Sequence, residues 1–317
     1  MDWKNLSLKL INASDLERKQ IPPTNWAIEG FLPEGLTILA GAPKSGKSLL
    51  ALNMALALSA NAEVIGKKSK SVKNILYLPY EDSERRLQER IKKIKIGLSI
   101  TDVSKTFFLE GGKPPKIDDE VLKEIGELIK ENKLDMIIID TLGSAIKNNR
   151  KKGLSPYLDE YELLNKFQRF ALDNKVCVLL LHHTRKMKAE NVFDEISGTR
   201  GISGAADANF VLQRNKYSGK LFIQGRDLED AEYELELDKE NLTWKFKGII
   251  NSISLSPEQQ SILDAFDNDY EIEYRPSEIA KILDKDDQNI RPSFRRLVSL
   301  GMLNQDNYGK YKLAPIN

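Results

Sequence analysis

Apolar and polar positions fall into two textures along the chain. Residues 36–40, 74–78, 136–139 and 176–181 are short, nearly continuous apolar runs, each bounded by Gly, Pro or charged residues. Between them apolar positions recur with helical spacing, as in 121–128 and 161–172. Continuous apolar runs of this length suit strands buried on both faces, and the periodic stretches read as crossover helices. The pattern predicts an α/β domain built on a mostly parallel sheet with flanking helices. Around Arg226 the texture changes. Residues 220–224, 233–237 and 242–246 alternate, with turn residues between them, which predicts an antiparallel finish to the same sheet. Residues 248–255 read as a linker.

From Ser256 the pattern is helical. Ser256-Pro257-Glu258 is an N-cap followed by Pro at the first helical position, and Ile262, Leu263 and Phe266 form an apolar face. A second helix is expected over 276–283 with Ile279 and Ile282 inward. A third runs over 288–300 with Ile290, Phe294, Leu297 and Val298 on one face. Met302-Leu303, a turn over 304–308 and residues 310–313 predict a hairpin. Three helices and a two-stranded wing make a winged helix-turn-helix, dividing the chain into 1–250 and 251–317.

Composition narrows the classes. The 317 residues hold 48 Lys+Arg against 47 Asp+Glu and are 41% hydrophobic, the balance of a folded globular protein. A net charge of +1 gives no whole-surface attraction to nucleic acid or membrane. Cys177, the one cysteine, excludes an intramolecular disulfide framework and a Cys-based zinc cluster. His182 and His183 are too few for a structural metal site. Charges in Met1-Asp2-Trp3-Lys4 come too early for a signal peptide, and the longest apolar stretch, 49–60, is interrupted by Asn53. A membrane span needs about 20 apolar residues, so the expectation is a cytoplasmic protein with no membrane partner. The charge is unevenly spread: 251–317 hold 8 Lys+Arg and 11 Asp+Glu, leaving 40 and 36 for 1–250.

The sharpest motif is Gly41-Ala42-Pro43-Lys44-Ser45-Gly46-Lys47-Ser48, which matches G-x-x-x-x-G-K-[ST]. It follows the apolar run 36–40 and opens an Ala/Leu-rich helix over 47–60, the context a phosphate-binding loop needs. Its glycines let backbone N–H groups wrap phosphates, and the helix start, through Leu49, adds positive potential. Lys47 is expected to reach the β- and γ-phosphates of ATP, and Ser48 to hold Mg²⁺. Asp140 ends the run 136–139 and is the expected second Mg²⁺ residue. Thr141, not Glu, follows it, so the general base has to come from elsewhere. Glu81, just past the run 74–78, is the candidate. Asp82 is its competitor, or else a cap for the helix that begins near Ser83. His182 and His183 end the run 176–181, where one of them can contact the γ-phosphate. Neighbouring strand residues point to opposite faces, so both stay open.

Together these residues resemble the RecA-like ATPases, nearest to the hexameric RepA-type helicase branch of plasmids and phages, related to DnaB and KaiC. The segments ILAGAPKSGKSLLALNMALALS, ILYLPYEDSERRLQERI, MIIIDTLGSA, VLLLHHTRK and SGTRGISGAADANFVLQR carry the likeness, over roughly residues 15–245. The resemblance implies nucleotide sites between the subunits of a ring, completed by a basic residue from the neighbour. Arg226, in Gln224-Gly225-Arg226-Asp227, resembles the trans-acting arginine of DnaB-like proteins. Arg200 and Arg214 are alternatives, and a pairing with Asp227 or Glu229 would make Arg226 an ordinary surface charge. The chain departs from the pattern twice. RepA-type proteins carry an arginine near 208–210, where this chain has none, and the basic partner expected beside the finger is Gln224 here.

In such rings the loops after the Asp140 and histidine strands face the channel. Residues 143–154 hold Lys147, Arg150, Lys151 and Lys152 and no acid, and 184–204 add Arg185, Lys186, Lys188 and Arg200. Both can contact the phosphates of single-stranded DNA. In 251–317 the third helix exposes Arg291, Arg295 and Arg296, and the wing adds Lys310 and Lys312, a docking face for duplex DNA. The acid excess there makes a protein partner the alternative. The expected function is a Mg²⁺- and ATP-dependent hexameric ring motor on single-stranded DNA, a replicative helicase of a plasmid or phage. The competing readings are an ATP-switched DNA-binding regulator without unwinding activity, and a recombinase or KaiC-like ATPase.

Overall fold

The four apolar runs lie side by side in one sheet. The computed structural model describes residues 10–146, 156–184, 191–196, 204–250, 257–266, 272–299, 302–306 and 308–314. Helix α1 (Ala13–Arg18) and the hairpin of β1 (Trp26–Ile28) and β2 (Leu32–Pro33) precede β3 (Gly35–Gly41), α2 (Lys47–Ser59) and β4 (Ile75–Pro79). Next come α3 (Glu84–Gly97), β5 (Thr106–Phe107), α4 (Asp119–Asn132) and β6 (Met136–Asp140). The short α5 (Leu142–Ala145), α6 (Pro156–Asn174) and β7 (Cys177–His183) follow. Four strands close the unit: β8 (Ala208–Asn215), β9 (Ser218–Gly225), β10 (Leu228–Asp238) and β11 (Thr243–Ile250).

The nine-stranded sheet has the order β11-β10-β9-β8-β3-β7-β6-β4-β5. Pairings from β8 to β5 are parallel, and those from β8 to β11 are antiparallel. Alternation along the buried strands makes two apolar layers. Leu39, Tyr77, Ile138 and Leu179 lie in the layer of α2 and α3, and Ile38, Leu78, Ile139 and Leu180 in that of α4 and α6. With both faces covered, the runs have to be continuously apolar. Helix α2 is apolar nearly all round because it packs against α3, β4 and β11. Its buried polar residue, Asn53, is satisfied across that contact: Nδ2 donates to Leu242 O at 3.0 Å and Oδ1 accepts from Trp244 N at 2.8 Å.

Three sequence expectations need correction. Strand β8 is absent from the hydrophobic reading, because only its first five residues are buried and its last three are exposed. It pairs parallel with β3 and joins the two halves of the sheet. Residues 248–250, read as linker, belong to β11. The register passes from Glu234↔Gly248 to Leu235↔Phe246 and skips Lys247, a bulge that breaks the alternation. Ile282, expected inward, is 57% exposed; α8 (below) turns Ile279 and Ala280 into the core instead.

The chain divides into two units at residue 250. The second contains α7 (Pro257–Asp264), α8 (Pro276–Ile282), α9 (Asp287–Ser299) and an antiparallel pair, β12 (Leu303–Gln305) and β13 (Tyr311–Leu313). Ile262, Phe266, Ile279, Ile290, Phe294 and Leu297 meet Leu303 and Tyr311 in its own core. Among the described residues, no helix is long and apolar enough to cross a membrane.

Candidate functional site

The C-terminal tips of β3, β4, β6 and β7 converge on the turn between β3 and α2. That turn closes with Ser45 N donating to Ala42 O at 3.1 Å, has Lys44 at φ 64° and reaches α2 through Gly46 at φ 96°. Glycine is required at both ends of the turn. A Cβ on Gly41 would stand 2.6 Å from Leu212 O, and one on Gly46 would combine a left-handed backbone with a clash against Trp244.

Lys47 is 4% exposed, and its Nζ donates to Gly41 O at 2.7 Å and Ala42 O at 3.0 Å. Burial pushes its pKa down to about 8, against the pull of Asp140 and Glu81. Ser48 Oγ donates to Asp140 Oδ1 at 3.0 Å, and Tyr77 OH donates to Asp140 Oδ2 at 2.7 Å. Asp140 is 3% exposed. Desolvation pushes its carboxyl up to about 6, opposed by the Tyr77 and Ser48 bonds and reinforced by the charges of Glu81 and Asp82.

Glu81 reaches across the tips of β4 and β6. Its Oε1 accepts from Thr141 Oγ1 at 2.7 Å and from Ser144 Oγ at 2.9 Å. Desolvation is the largest single influence on Glu81 and acts upward. The two hydroxyls, His183 and Lys47 outweigh it, holding the carboxyl below its ordinary range. Asp82 has a different job. It binds Arg86 at 3.1 Å and Arg90, both on α3, while the Ser83 hydroxyl caps that helix by accepting from Arg86 N. That leaves Glu81 as the carboxylate beside Lys47. His183 pairs in register with Gly41, its Nδ1 lying 3.5 Å from Lys47 Nζ, whereas His182 pairs with Ala40 one step down the strand. Burial and the neighbouring Lys47 lower the His183 pKa, against Glu81 and a bond with Gly41.

The residues present fit a nucleotide triphosphate with Mg²⁺. Ser45 Oγ is buried in the turn without a hydrogen-bond partner, and the two glycines leave a cradle that side chains would fill. Lys47 Nζ rests on backbone carbonyls that a phosphate oxygen can replace. Among the described residues no group of three or more His, Cys, Asp or Glu is arranged to hold a metal alone. Ser48 and Asp140 suit Mg²⁺, which binds few protein groups and takes substrate phosphates as further ligands. A cleft of about 770 Å³ opens beside the turn, lined by residues 41–45, Thr184, Arg214 and Lys216 among others.

Arg226 lies elsewhere. Gly225 pairs with Ala208, and Ala208 with Thr37, so the β9–β10 turn sits at the start of β3, at the sheet end opposite the phosphate loop. The guanidinium, with its side chain 59% exposed, binds Asp207 Oδ1 at 3.2 Å rather than Asp227 or Glu229, and donates to Gly204 O at 3.3 Å. Asp207 also accepts from Leu36 N at 2.9 Å and from Gln168 Nε2 at 2.8 Å. Arg214 is exposed near the end of β8 and lines the cleft beside its own phosphate loop. Lys147, Arg150, Lys151, Lys152, Arg185, Lys186, Lys188 and Arg200 lie outside the described residues. In the second unit Arg291 binds Asp287 at 2.5 Å, and Arg295 is exposed.

Sequence reasoning missed Tyr77, Thr141, Ser144 and Trp244. The two hydroxyl residues follow Asp140 at one and four positions, a signal that could have paired them with Glu81. Tyr77 sits in an apolar run and reads there as core.

A family model described as AAA domain matches residues 5–189. The chain belongs to that AAA domain family. The phosphate loop, Glu81, Asp140 and both histidines lie within the matched span, whereas β8 to β11 and the second unit lie beyond it. No sequence among the curated proteins matches the chain. Of solved structures, a helicase ATPase domain is similar with a TM-score of 0.54 at 14% identity, covering 68% of this chain and 85% of that one. The RadB recombinase is similar with a TM-score of 0.50 at 13% identity, covering 69% and 93%. At these identities the likeness is one of fold: a RecA-like α/β domain with an antiparallel finish.

Proposed function

We propose that the protein is a Mg²⁺-dependent ATPase working as a ring-shaped DNA motor, a replicative helicase of plasmid or phage type. The observation that carries the ATPase reading is the single cluster in which Lys47, Ser48, Asp140, Glu81 and His183 meet at the strand tips. Backbone N–H groups from Gly41 to Leu49 wrap the phosphates, and Lys47 leaves the Gly41 and Ala42 carbonyls for the β- and γ-oxygens. Mg²⁺, when bound, neutralises charge on those oxygens. Ser48 and Asp140 are the residues that hold it. Glu81, kept ionised by Thr141, Ser144, His183 and Lys47, orients the attacking water and takes its proton. His183 is the γ-phosphate contact, because it is the histidine beside Lys47.

The ring reading rests on Arg226. Its exposed guanidinium is at the wrong end of the sheet for its own nucleotide, which is where a residue serving a neighbour belongs in a head-to-tail assembly. The basic loops around Lys147–Lys152 and Arg185–Lys186 are the DNA-contacting segments of this reading. The 251–317 unit is read as a winged helix-turn-helix with α9 as the groove-facing helix. Arg291 is already paired there, which leaves Arg295 to contact phosphates and keeps a protein partner as the competing occupant.

ATPase rates with and without single-stranded and duplex DNA test the reading. Stimulation by single strands together with strand displacement is the expected outcome. Hydrolysis without unwinding, with duplex binding lost on removal of 251–317, would mean a regulator. Filaments rather than rings in electron micrographs would mean a recombinase.

A further inference from the structure

The antiparallel half of the sheet reaches the phosphate loop through one side chain. Trp244, the second residue of β11, is buried, and its indole Nε1 donates to the Gly46 carbonyl at 3.2 Å. That carbonyl also accepts from Leu50 N at 2.9 Å as the first bond of α2. The ring occupies a slot between two glycines. A Cβ on Gly46 would stand 2.8 Å from its Cζ2, and a Cβ on Gly219, in β9, 2.7 Å from its Cζ3. Neither separation is sterically tolerable, so both positions stay glycine while the indole is there. The backbone of Trp244 is fixed as well, because its N–H is held by Asn53 of α2 at 2.8 Å.

Glycine has the largest backbone freedom of any residue, and a loop that has to be ordered on binding loses affinity by that amount. Gly46 is the corner from which the N–H groups of Lys47 and Ser48 face the phosphates. We propose that Trp244 is a positioning residue for the phosphate loop. It pins the Gly46 corner before a nucleoside diphosphate or triphosphate arrives, and it carries nucleotide occupancy to β11, the outermost strand. The proposal rests on the nucleotide reading of the loop.

Calorimetric titration with ADP, well below the unfolding temperature, tests it on the full chain. Trp244→Phe keeps an aromatic ring and removes the indole N–H; ADP affinity is expected to fall about fivefold, the range of one hydrogen bond. Loss of stability alone leaves that affinity unchanged while the protein stays folded. Gly219→Ala pushes the ring off Gly46 and is expected to weaken ADP similarly. In the Trp244→Phe background the same alanine should cost little, a non-additivity that a contact network produces. In a Trp3→Phe, Trp26→Phe protein the remaining indole emission is expected to shift on saturation with ADP. ADP binding by Trp244→Phe within about twofold of wild type, less than one hydrogen bond, overturns the proposal. So does an unchanged Trp244 emission at saturation. Failure of the unmodified protein to bind ADP is a separate outcome and overturns the nucleotide reading itself.

Discussion

The two ends of one sheet are built on opposite principles. At the C-terminal tips of the parallel strands, Lys47 and Asp140 are nearly sealed from solvent, and burial pulls both pKa values towards neutrality. At the other end Arg226 stands out in solvent, held by Asp207. The first end is preorganised around a charge it does not yet contain, and the second displays a charge it does not itself use. In the ring reading, only a neighbour can bring the two together. One half of the site then lies at the strand tips, and the other half has to be sought at the strand starts.

Substitutions at each end separate the two roles. Glu81→Gln keeps the shape and removes the proton acceptor; nucleotide binding is expected to persist while turnover falls about 10³–10⁴-fold, measured by single-turnover phosphate release. Arg226→Ala is expected to lower turnover of the assembled protein about 10³-fold, the low end for an arginine acting in trans, with nucleotide affinity of the single chain unchanged. Equal loss of turnover in dilute monomer and in assembly would remove the trans role. Asp140→Asn acts on stability. A carboxyl raised from 3.8 to about 6 binds more protons folded than unfolded between those values, so it lowers stability as pH rises through that window. The asparagine protein should lack that slope and be more stable than wild type at pH 7 by about 2 kcal/mol in metal-free buffer, read by denaturant unfolding. The smallest effect is expected for Tyr77→Phe, which removes one hydrogen bond to Asp140 at a cost of about 1 kcal/mol.

What was legible in the sequence follows from how each part is held. The parallel strands announce themselves because double-sided burial forbids polar residues, and the loop motif because phosphate wrapping dictates its glycines. Asp140 and Glu81 are readable as the first polar residues past buried runs. The choice between His182 and His183 is not, since it depends on strand register against β3, and register is a property of the sheet rather than of the run. Strand β8 escaped because it is buried for part of its length only, and the end of β11 because the bulge at Lys247 breaks its alternation. Tyr77 and Trp244 escaped for the opposite reason: each buries a large ring and uses one polar atom, and the ring dominates the pattern.

The central claim is that a site is made of the strand tips of one copy and the strand starts of the next. Mixing Lys47→Ala protein with Arg226→Ala protein tests it directly. Each alone lacks one half at every interface and should be inactive. In an equal mixture about a quarter of head-to-tail interfaces pair an intact phosphate loop with an intact arginine, so ATPase activity should return to about a quarter of wild type. A mixture as inactive as its components would contradict the account.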